Sequence, residues 1–170
     1  MIRFLGAGLI LSACTFFAVS KTKAMRNRIQ TLLALIDALH IIRSEITTNL
    51  TPISEILNQL ETHKNTSVCR LFSTVNRSIS REGIPYFGKC WSSGVEQCCT
   101  ELTFQERDAL CALGNVLGKY SAEEECAAID RCIATLESGY AAAKEKYADD
   151  AKLYTGVSMV TGLMLVILLI

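Results

Sequence analysis

Residues 25–46 read MRNRIQTLLALIDALHIIRSEI, and this stretch decides the fold class. Its large apolar side chains recur every three or four positions, at Ile29, Leu32, Leu33, Ile36, Leu39, Ile42 and Ile46. That spacing places them along one face of an α-helix and leaves the polar residues on the other face. The pattern predicts an amphipathic helix of about five turns. We expect it to end near residues 47–49, where two threonines and an asparagine come together.

The residues that follow predict three further helices. Pro52 suits the first turn of a second helix, with Thr51 as its N-cap, and the segment 63–66 should end it. A third helix carries apolar residues at Val68, Leu71, Phe72, Val75 and Ile79, and closes at residues 81–83. The segment 83–88 reads as a loop. A fourth, short helix is predicted over 91–102.

Two capping boxes predict where the last two helices begin. In Thr103-Phe-Gln-Glu106 and Ser121-Ala-Glu-Glu124, the first and fourth side chains can each satisfy a free backbone N–H of the other. Gly118 stands where a left-handed residue would end the first of these helices. The final helix has an apolar seam of Cys126, Ile129, Ile133, Leu136, Tyr140, Ala143 and Tyr147. Gly139 interrupts this helix and predicts a kink.

The ends of the chain are apolar and differ from its middle. Residues 4–20 and 153–170 carry no charged side chain, and each run has about the length needed to cross a bilayer as a helix. We therefore predict an N-terminal membrane segment over 1–20, a helical bundle over 21–152 and a C-terminal transmembrane helix over 153–170. The predicted fold is all-α: a bundle of about six helices flanked by N- and C-terminal membrane helices.

Basic residues flank both apolar runs on the side of the bundle. Lys21, Lys23 and Arg26 follow the first run, while Lys144 and Lys152 precede the second. The positive-inside rule places the bundle in the cytoplasm, with the protein integral to the cell membrane. Two alternatives for the N-terminus stay open: a cleaved signal peptide ending near residue 20, or a lipobox with lipidation at Cys14.

The composition argues against nucleic-acid binding and gives no sign of catalysis. The 17 basic and 17 acidic residues cancel, which removes the positive surface that nucleic acid requires. His40 and His63 have no neighbours in a recognisable catalytic arrangement, and we expect no cofactor and no catalytic residues. A metal site on Cys98 and Cys99 is less favoured than buried free thiols, so we expect no bound metal.

Two segments carry a resemblance to a known family. LIDALHIIRSEI at 35–46 and TPISEIL at 51–57 resemble the opening of the stage III sporulation protein AB family of endospore-forming bacteria. The same order continues with Trp91 after a glycine-containing loop, the segment 110–118, the Ser121 turn, a long charged helix and the apolar tail. The likeness covers essentially the whole chain. The many cysteines depart from the family's usual pattern and leave redox behaviour open.

The resemblance implies a small membrane protein of the channel between mother cell and forespore. It implies a helical domain similar to the cytoplasmic domains of the type II secretion inner-membrane platform protein. Its partners would be a stage III sporulation protein AA-like ATPase and other membrane proteins of the channel. The expected function is a non-enzymatic scaffold that couples this ATPase to the membrane. An exported lipoprotein or tail-anchored binding domain is the alternative, and a membrane-bound enzyme is a third hypothesis.

Four residues are carried over from the resemblance as candidate interaction residues: Glu45, Pro52, Gly114 and Gly118. Each also has a structural interpretation to weigh. Pro52 can start a helix, Gly114 can permit close helix packing, and Gly118 can end a helix. Glu45 has no evident local structural need, which makes it the clearest candidate of the four.

Overall fold

The structure is a computed structural model that describes residues 2–49, 51–62, 65–83 and 86–169. Within those ranges, side chains are described from residue 23 to residue 148, residue 82 excepted. All regular secondary structure in the described ranges is helical. The six α-helices found there are α1 (Ile2–Ser44), α2 (Ile53–Leu60), α3 (Thr66–Glu82), α4 (Phe87–Cys98), α5 (Phe104–Gly114) and α6 (Ala122–Leu169). The all-α prediction is confirmed.

The chain divides into two compact units. One contains Arg28–Ala141, and the other contains Met1–Asn27 together with Ala142–Ile170. The predicted domain limits, 1–20, 21–152 and 153–170, concern membrane segments and stay predictions. In the part of the chain with described side chains, no helix is long and apolar enough to cross a membrane. The apolar runs 4–20 and 153–170, and Cys14 with them, lie outside that part.

The core of the Arg28–Ala141 unit is built around Trp91. Helix α2 packs on α3, α3 on α4, and α4 on α5. Trp91 is 1% exposed. Its ring contacts those of Phe72 and Phe87, at centroid distances of 5.9 and 5.8 Å. The indole Nε1 donates to the Leu110 carbonyl at 2.7 Å. That hydrogen bond removes the cost of burying the indole N–H, so Trp91 can supply a large apolar surface at the centre of the bundle.

Most of the apolar residues predicted for α1 and α6 are buried, while Ile29, Tyr140 and Tyr147 are only partly buried. On α1, Leu32, Leu39 and Ile42 are at most 1% exposed. Leu33 was assigned to the same face but is 40% exposed, so this assignment is wrong. Its neighbour Leu32 occupies the centre of the buried face, and two adjacent positions on a helix point about 100° apart.

Several predicted helix ends differ from the observed ones. Helix α4 covers Phe87–Cys98, four residues earlier at each end than the predicted 91–102. Gly94 lies inside it because α3 and α4 approach closely there: a Cβ at Gly94 would lie 2.7 Å from Cγ2 of Val75. Helix α5 ends at Gly114, before Gly118, and a turn separates the two glycines. At Gly94, close packing of two helices therefore outweighs the local preference of glycine for helix ends.

The predicted caps are right for α5 and α6 and wrong for α2. Thr103 and Glu106 form a reciprocal capping box, and Ser121 and Glu124 make the same pair of hydrogen bonds at 3.3 and 3.4 Å. The N-cap of α2 is Pro52, without a side-chain hydrogen bond. Thr51 lies one residue before the cap position, and its hydroxyl donates to Glu45 Oε2 at 2.8 Å.

Gly139 lies within an uninterrupted α6, and its surroundings explain the missing side chain. A Cβ at this position would overlap the carboxylate of Glu106, which reaches across from α5. Glu106 Oε1 accepts from Arg28 Nη2 at 2.7 Å, and Oε2 accepts from the Thr103 backbone N–H at 2.7 Å. Glycine at 139 thus makes room for a buried ion pair, so a kink is not needed to account for it.

Candidate interaction site

A π-helical turn follows α1 and sets the geometry of the candidate site. It covers Glu45–Asn49 and lies between α1 and α2. The wider turn suits the local composition, because Thr47 returns its hydroxyl to the carbonyls of Arg43 at 2.9 Å and Ser44 at 3.1 Å. Such bonds compete with regular α-helical hydrogen bonding. Single π-helical turns are frequent at functional positions.

Glu45 organises this turn through its carboxylate. Oε2 accepts from Asn49 Nδ2 at 2.9 Å and from Thr51 Oγ1 at 2.8 Å, while the Glu45 carbonyl accepts from the Thr51 backbone N–H at 3.3 Å. These side-chain hydrogen bonds, first that of Asn49 and then that of Thr51, hold the pKa of the carboxyl below its ordinary 4.5. The interpretation that Glu45 lacks a local structural need is wrong, since the residue joins the end of α1 to the start of α2.

Pro52 and Gly118 lie at the same end of the bundle as Glu45. Pro52 is exposed and directly follows Thr51, and its carbonyl accepts from the backbone N–H of Glu55 at 2.9 Å. Gly118 is exposed with a φ of +75°, a left-handed conformation that favours glycine. A Cβ at Gly118 would lie 3.6 Å from Cγ2 of Ile53. We call this region, Glu45–Asn49 with Thr51–Ile53 and Gly118, the Pro52 end.

A buried acid from the start of α6 holds Gly118 in place. Glu125 is 8% exposed, and its Oε1 accepts from the Gly118 backbone N–H at 2.7 Å. In the sequence, Glu125 belongs to a run of three acids at the start of α6. The helix dipole is enough to account for acids at this position, so the run does not mark Glu125 out. The contact with Gly118 depends on the path of the turn between α5 and α6, and no local pattern signals it.

Gly114, the fourth candidate, lies apart from the Pro52 end. It is buried on α5, where a Cβ would overlap the indole of Trp91. The glycine therefore allows α4 and α5 to pack closely over the tryptophan. The structure brings together Glu45, Pro52 and Gly118, and places Gly114 in the core.

The potential metal ligands and nucleophiles can be located among the described residues. Among them, no group of three or more His, Cys, Asp or Glu side chains is arranged to hold a metal ion. His40 is exposed on α1, and His63 is outside the described residues. The seven described cysteines are free thiols, and burial raises the pKa of Cys99 and Cys132 to about 12. Thiols with such a pKa are poor nucleophiles at neutral pH.

The fold and the Pro52 end define a helical-bundle protein with a hydrogen-bonded, partly exposed surface at one end. The chain belongs to the stage III sporulation protein AB family, whose sequence model matches residues 3–170. It is 24% identical to Stage III sporulation protein AB of Bacillus subtilis (strain 168) over 171 residues, which covers 99% of each chain. The predicted family is confirmed.

The fold is also similar to a solved structure. A structure of Stage III sporulation protein AB superimposes with a TM-score of 0.63 at 20% sequence identity, covering 72% of this chain and 97% of the other. At this identity the superposition bears on the fold alone. Family membership supports a role in sporulation, and the four candidate interaction residues stay predictions.

Proposed function

We propose that the chain is a non-enzymatic, membrane-anchored scaffold of a secretion-like channel complex required for spore formation. In this role it couples a cytoplasmic ATPase, similar to stage III sporulation protein AA, to other membrane proteins of the channel. The match of residues 3–170 to the stage III sporulation protein AB family carries the proposal. It runs through both apolar ends and the bundle, so the whole chain shares the family's organisation.

The arrangement of the bundle supports a scaffold. The Trp91 core is closed by large, fully buried side chains, and the Pro52 end is held by hydrogen bonds that the carboxylates of Glu45 and Glu125 accept. A surface held in one geometry loses little conformational entropy when a partner binds to it. The Pro52 end is therefore the surface that we propose for contact with the ATPase.

The proposed location is the bacterial cell membrane, with the bundle facing the mother-cell cytoplasm. Residues 4–20 and 153–169 belong to α1 and α6, the helices that also supply residues to the Arg28–Ala141 unit. Lysines next to both runs, among them Lys23 and Lys146, agree with a cytoplasmic bundle. An anchored scaffold keeps its ATPase at the membrane at a high effective concentration.

The test is complementation of a gene deletion in a spore-forming host. Deletion should block development after engulfment, and the full chain should restore spores. A fragment of residues 25–152, produced at equal abundance, should not restore them, because it cannot hold a partner at the membrane. Full rescue by the fragment would place the activity in the bundle alone and overturn the scaffold mechanism.

A second experiment tests the Pro52 end as the contact surface. Lys119 is exposed next to Gly118, and Arg70 is exposed on α3. Lys119→Glu should lower the recovery of the ATPase with the full chain, whereas Arg70→Glu should leave it unchanged. Equal recovery with both variants would remove the Pro52 end as the ATPase surface while leaving the complementation result intact.

A further inference from the structure

An open groove runs along α1, away from the Pro52 end. Its walls come from residues 30–41 of α1 and from the end of α2 with Asn65, and its volume is about 650 Å³. Ala34 and Leu60, which are 7% and 3% exposed, form an apolar floor. The α1 wall covers about three helical turns. A shallow groove of this length offers a surface for an elongated segment, whereas a small molecule needs a deeper enclosure.

Three side chains of α1 form a row along this groove. Leu33, Asp37 and Ile41 are spaced by four residues, which places them on one face of the helix. Leu33 and Ile41 are each 40% exposed, although both are large and apolar. They lie about 12 Å apart along the helix axis, with the carboxylate halfway between them. We call these three residues the Asp37 row.

Asp37 is an acid without a partner in the described part of the chain. It makes no hydrogen bond or ion pair with a described residue, and it lies between two apolar side chains. By contrast, Asp130 on α6 pairs with Arg43 of α1, whose Nε lies 2.7 Å from Asp130 Oδ1. The groove therefore presents one negative charge, flanked on both sides by exposed apolar surface.

We propose that this groove binds an amphipathic helix of a partner protein. That helix would present two apolar side chains about two turns apart, against Leu33 and Ile41, and a lysine or arginine between them to pair with Asp37. A helix laid in an apolar groove is a common mode of recognition, in which apolar contacts give affinity and the charge pair fixes register. The proposal does not depend on the ATPase-coupling role.

The charge also argues against a second copy of this chain as the occupant. In a twofold-symmetric dimer the same surface meets itself. Asp37 is at the centre of its row, so packing two rows on one another would bring two carboxylates together. That contact is repulsive, and it would be made where the flanking apolar groups exclude water. A partner helix with a basic residue removes this conflict.

A matched pair of helical peptides tests the chemistry of recognition. Both have about four turns and two leucines two turns apart, with arginine midway in one peptide and glutamate in the other. Fluorescence anisotropy with the purified full chain should show the arginine peptide binding about fivefold more tightly than the glutamate peptide. This is the ratio of dissociation constants expected when one exposed ion pair replaces a like-charge contact. Equal binding of the two peptides, or no binding of either, would overturn the proposal.

Charge reversal on the protein gives the decisive control. Asp37→Lys should reverse the preference in favour of the glutamate peptide, and Asp37→Asn should abolish it. Asp108→Lys changes an exposed acid on α5 by the same amount and should leave the preference unchanged. Unaltered Trp91 fluorescence verifies that the variants are folded. A preference that survives Asp37→Lys would contradict the proposed site.

Photocrosslinking in sporulating cells then tests the occupant. A benzoylphenylalanine placed at Ile41 should crosslink to a segment of another protein. Peptide mapping should identify a sequence with the apolar spacing of an amphipathic helix and a basic residue between the apolar ones. The same group at the exposed Arg77 on α3 should not give this product. Crosslinks to a second copy of the chain, or the absence of any product specific to Ile41, would overturn the proposal.

Discussion

Two cysteines have lost much of the acidity of an ordinary thiol because they are buried in the core. Burial is the largest cause that raises the pKa of Cys99 and Cys132 from 9.0 to about 12, since a thiolate there would be cut off from water. Cys69 is only partly buried, and its Sγ donates to the Glu61 carbonyl at 2.9 Å. The thiols of Cys99 and Cys132 are thus held in their neutral, unreactive form.

Alkylation should therefore distinguish the cysteines. At pH 8, with pKa values of about 12, about one in ten thousand of the Cys99 or Cys132 side chains is a thiolate. Iodoacetamide should modify Cys69 first in the folded chain, as measured by peptide mass spectrometry, and all three at similar rates in denaturant. Fast alkylation of Cys99 in the folded chain would contradict this burial.

Folding raises the pKa values of Cys99 and Cys132. The fold should therefore also lose stability as pH rises above 9, the pKa of the unfolded thiol.

Glu45 should titrate below an ordinary glutamate, for the opposite reason. Its carboxylate accepts hydrogen bonds from Asn49 and Thr51, which favour the charged form. A lowered folded pKa gives stability that is present above 4.5 and is lost as pH falls through the folded value. Carboxyl-carbon NMR should show Asn49→Ala raising the pKa of Glu45 more than Thr51→Val does. Thr48→Ala, at an exposed position in the same turn, serves as the control, and an unchanged pKa in Asn49→Ala would exclude this hydrogen bond.

At the scale of elements, one side chain joins three helices. Glu106 starts α5 through its capping box, pairs with Arg28 of α1 and crosses Gly139 of α6. The carboxylate side chain is 3% exposed and the arginine 26%, so the pair is largely removed from water. Removing one partner of such a pair leaves an uncompensated charge and is costly. The relative positions of these helices should thus depend on the space at Gly139.

Gly139→Ala tests this dependence, because its two expected effects on the free energy of unfolding have opposite signs. Alanine favours a helix over glycine, yet its Cβ would displace Glu106, and we expect a net loss of about 1–3 kcal/mol in the free energy of unfolding. Urea unfolding followed by the fluorescence of Trp91 measures the change. Ser138→Ala, at the exposed neighbouring position, should change stability by at most about 0.5 kcal/mol.

The same substitution should stabilise a chain that lacks the carboxylate. A Glu106→Ala background removes the three atoms nearest to the added Cβ, and Gly139→Ala should then raise stability by up to about 1 kcal/mol through helix propensity. A loss of equal size in both backgrounds would show that Glu106 is not the reason for the glycine.

At the scale of the whole molecule, the compartment of the bundle separates the proposed scaffold from an exported binding domain. The basic residues beside both apolar runs favour the cytoplasm. A reporter inserted after Gly83, in the segment before α4, should fluoresce as a green fluorescent protein fusion and be inactive as alkaline phosphatase. Active phosphatase at this site would favour the exported alternative, and lipid labelling of Cys14 would then identify a lipoprotein.

Local patterns were enough to predict the helical class, the end of α3 at Gly83 and the starts of α5 and α6. Apolar periodicity and capping involve residues within about one turn of each other, so both can be seen in the sequence. The order of short motifs along the chain likewise predicted the family, because it needs no knowledge of packing. The role of Glu45 was missed even though its partners are close in sequence, since it depends on a π-helical turn that the composition does not specify.

The remaining features depend on residues that meet only after folding. Arg28 and Glu106 are 78 positions apart, and the carboxylate that accounts for Gly139 comes from another helix. A glycine is needed at 114 because a side chain there would overlap the indole of Trp91. Leu33 is exposed because α2 leaves a groove beside α1. Helical periodicity states which residues share a face, but the volume and direction of the neighbouring helices decide how far each face is covered. For that reason the groove and the ion pair were set by the tertiary structure alone.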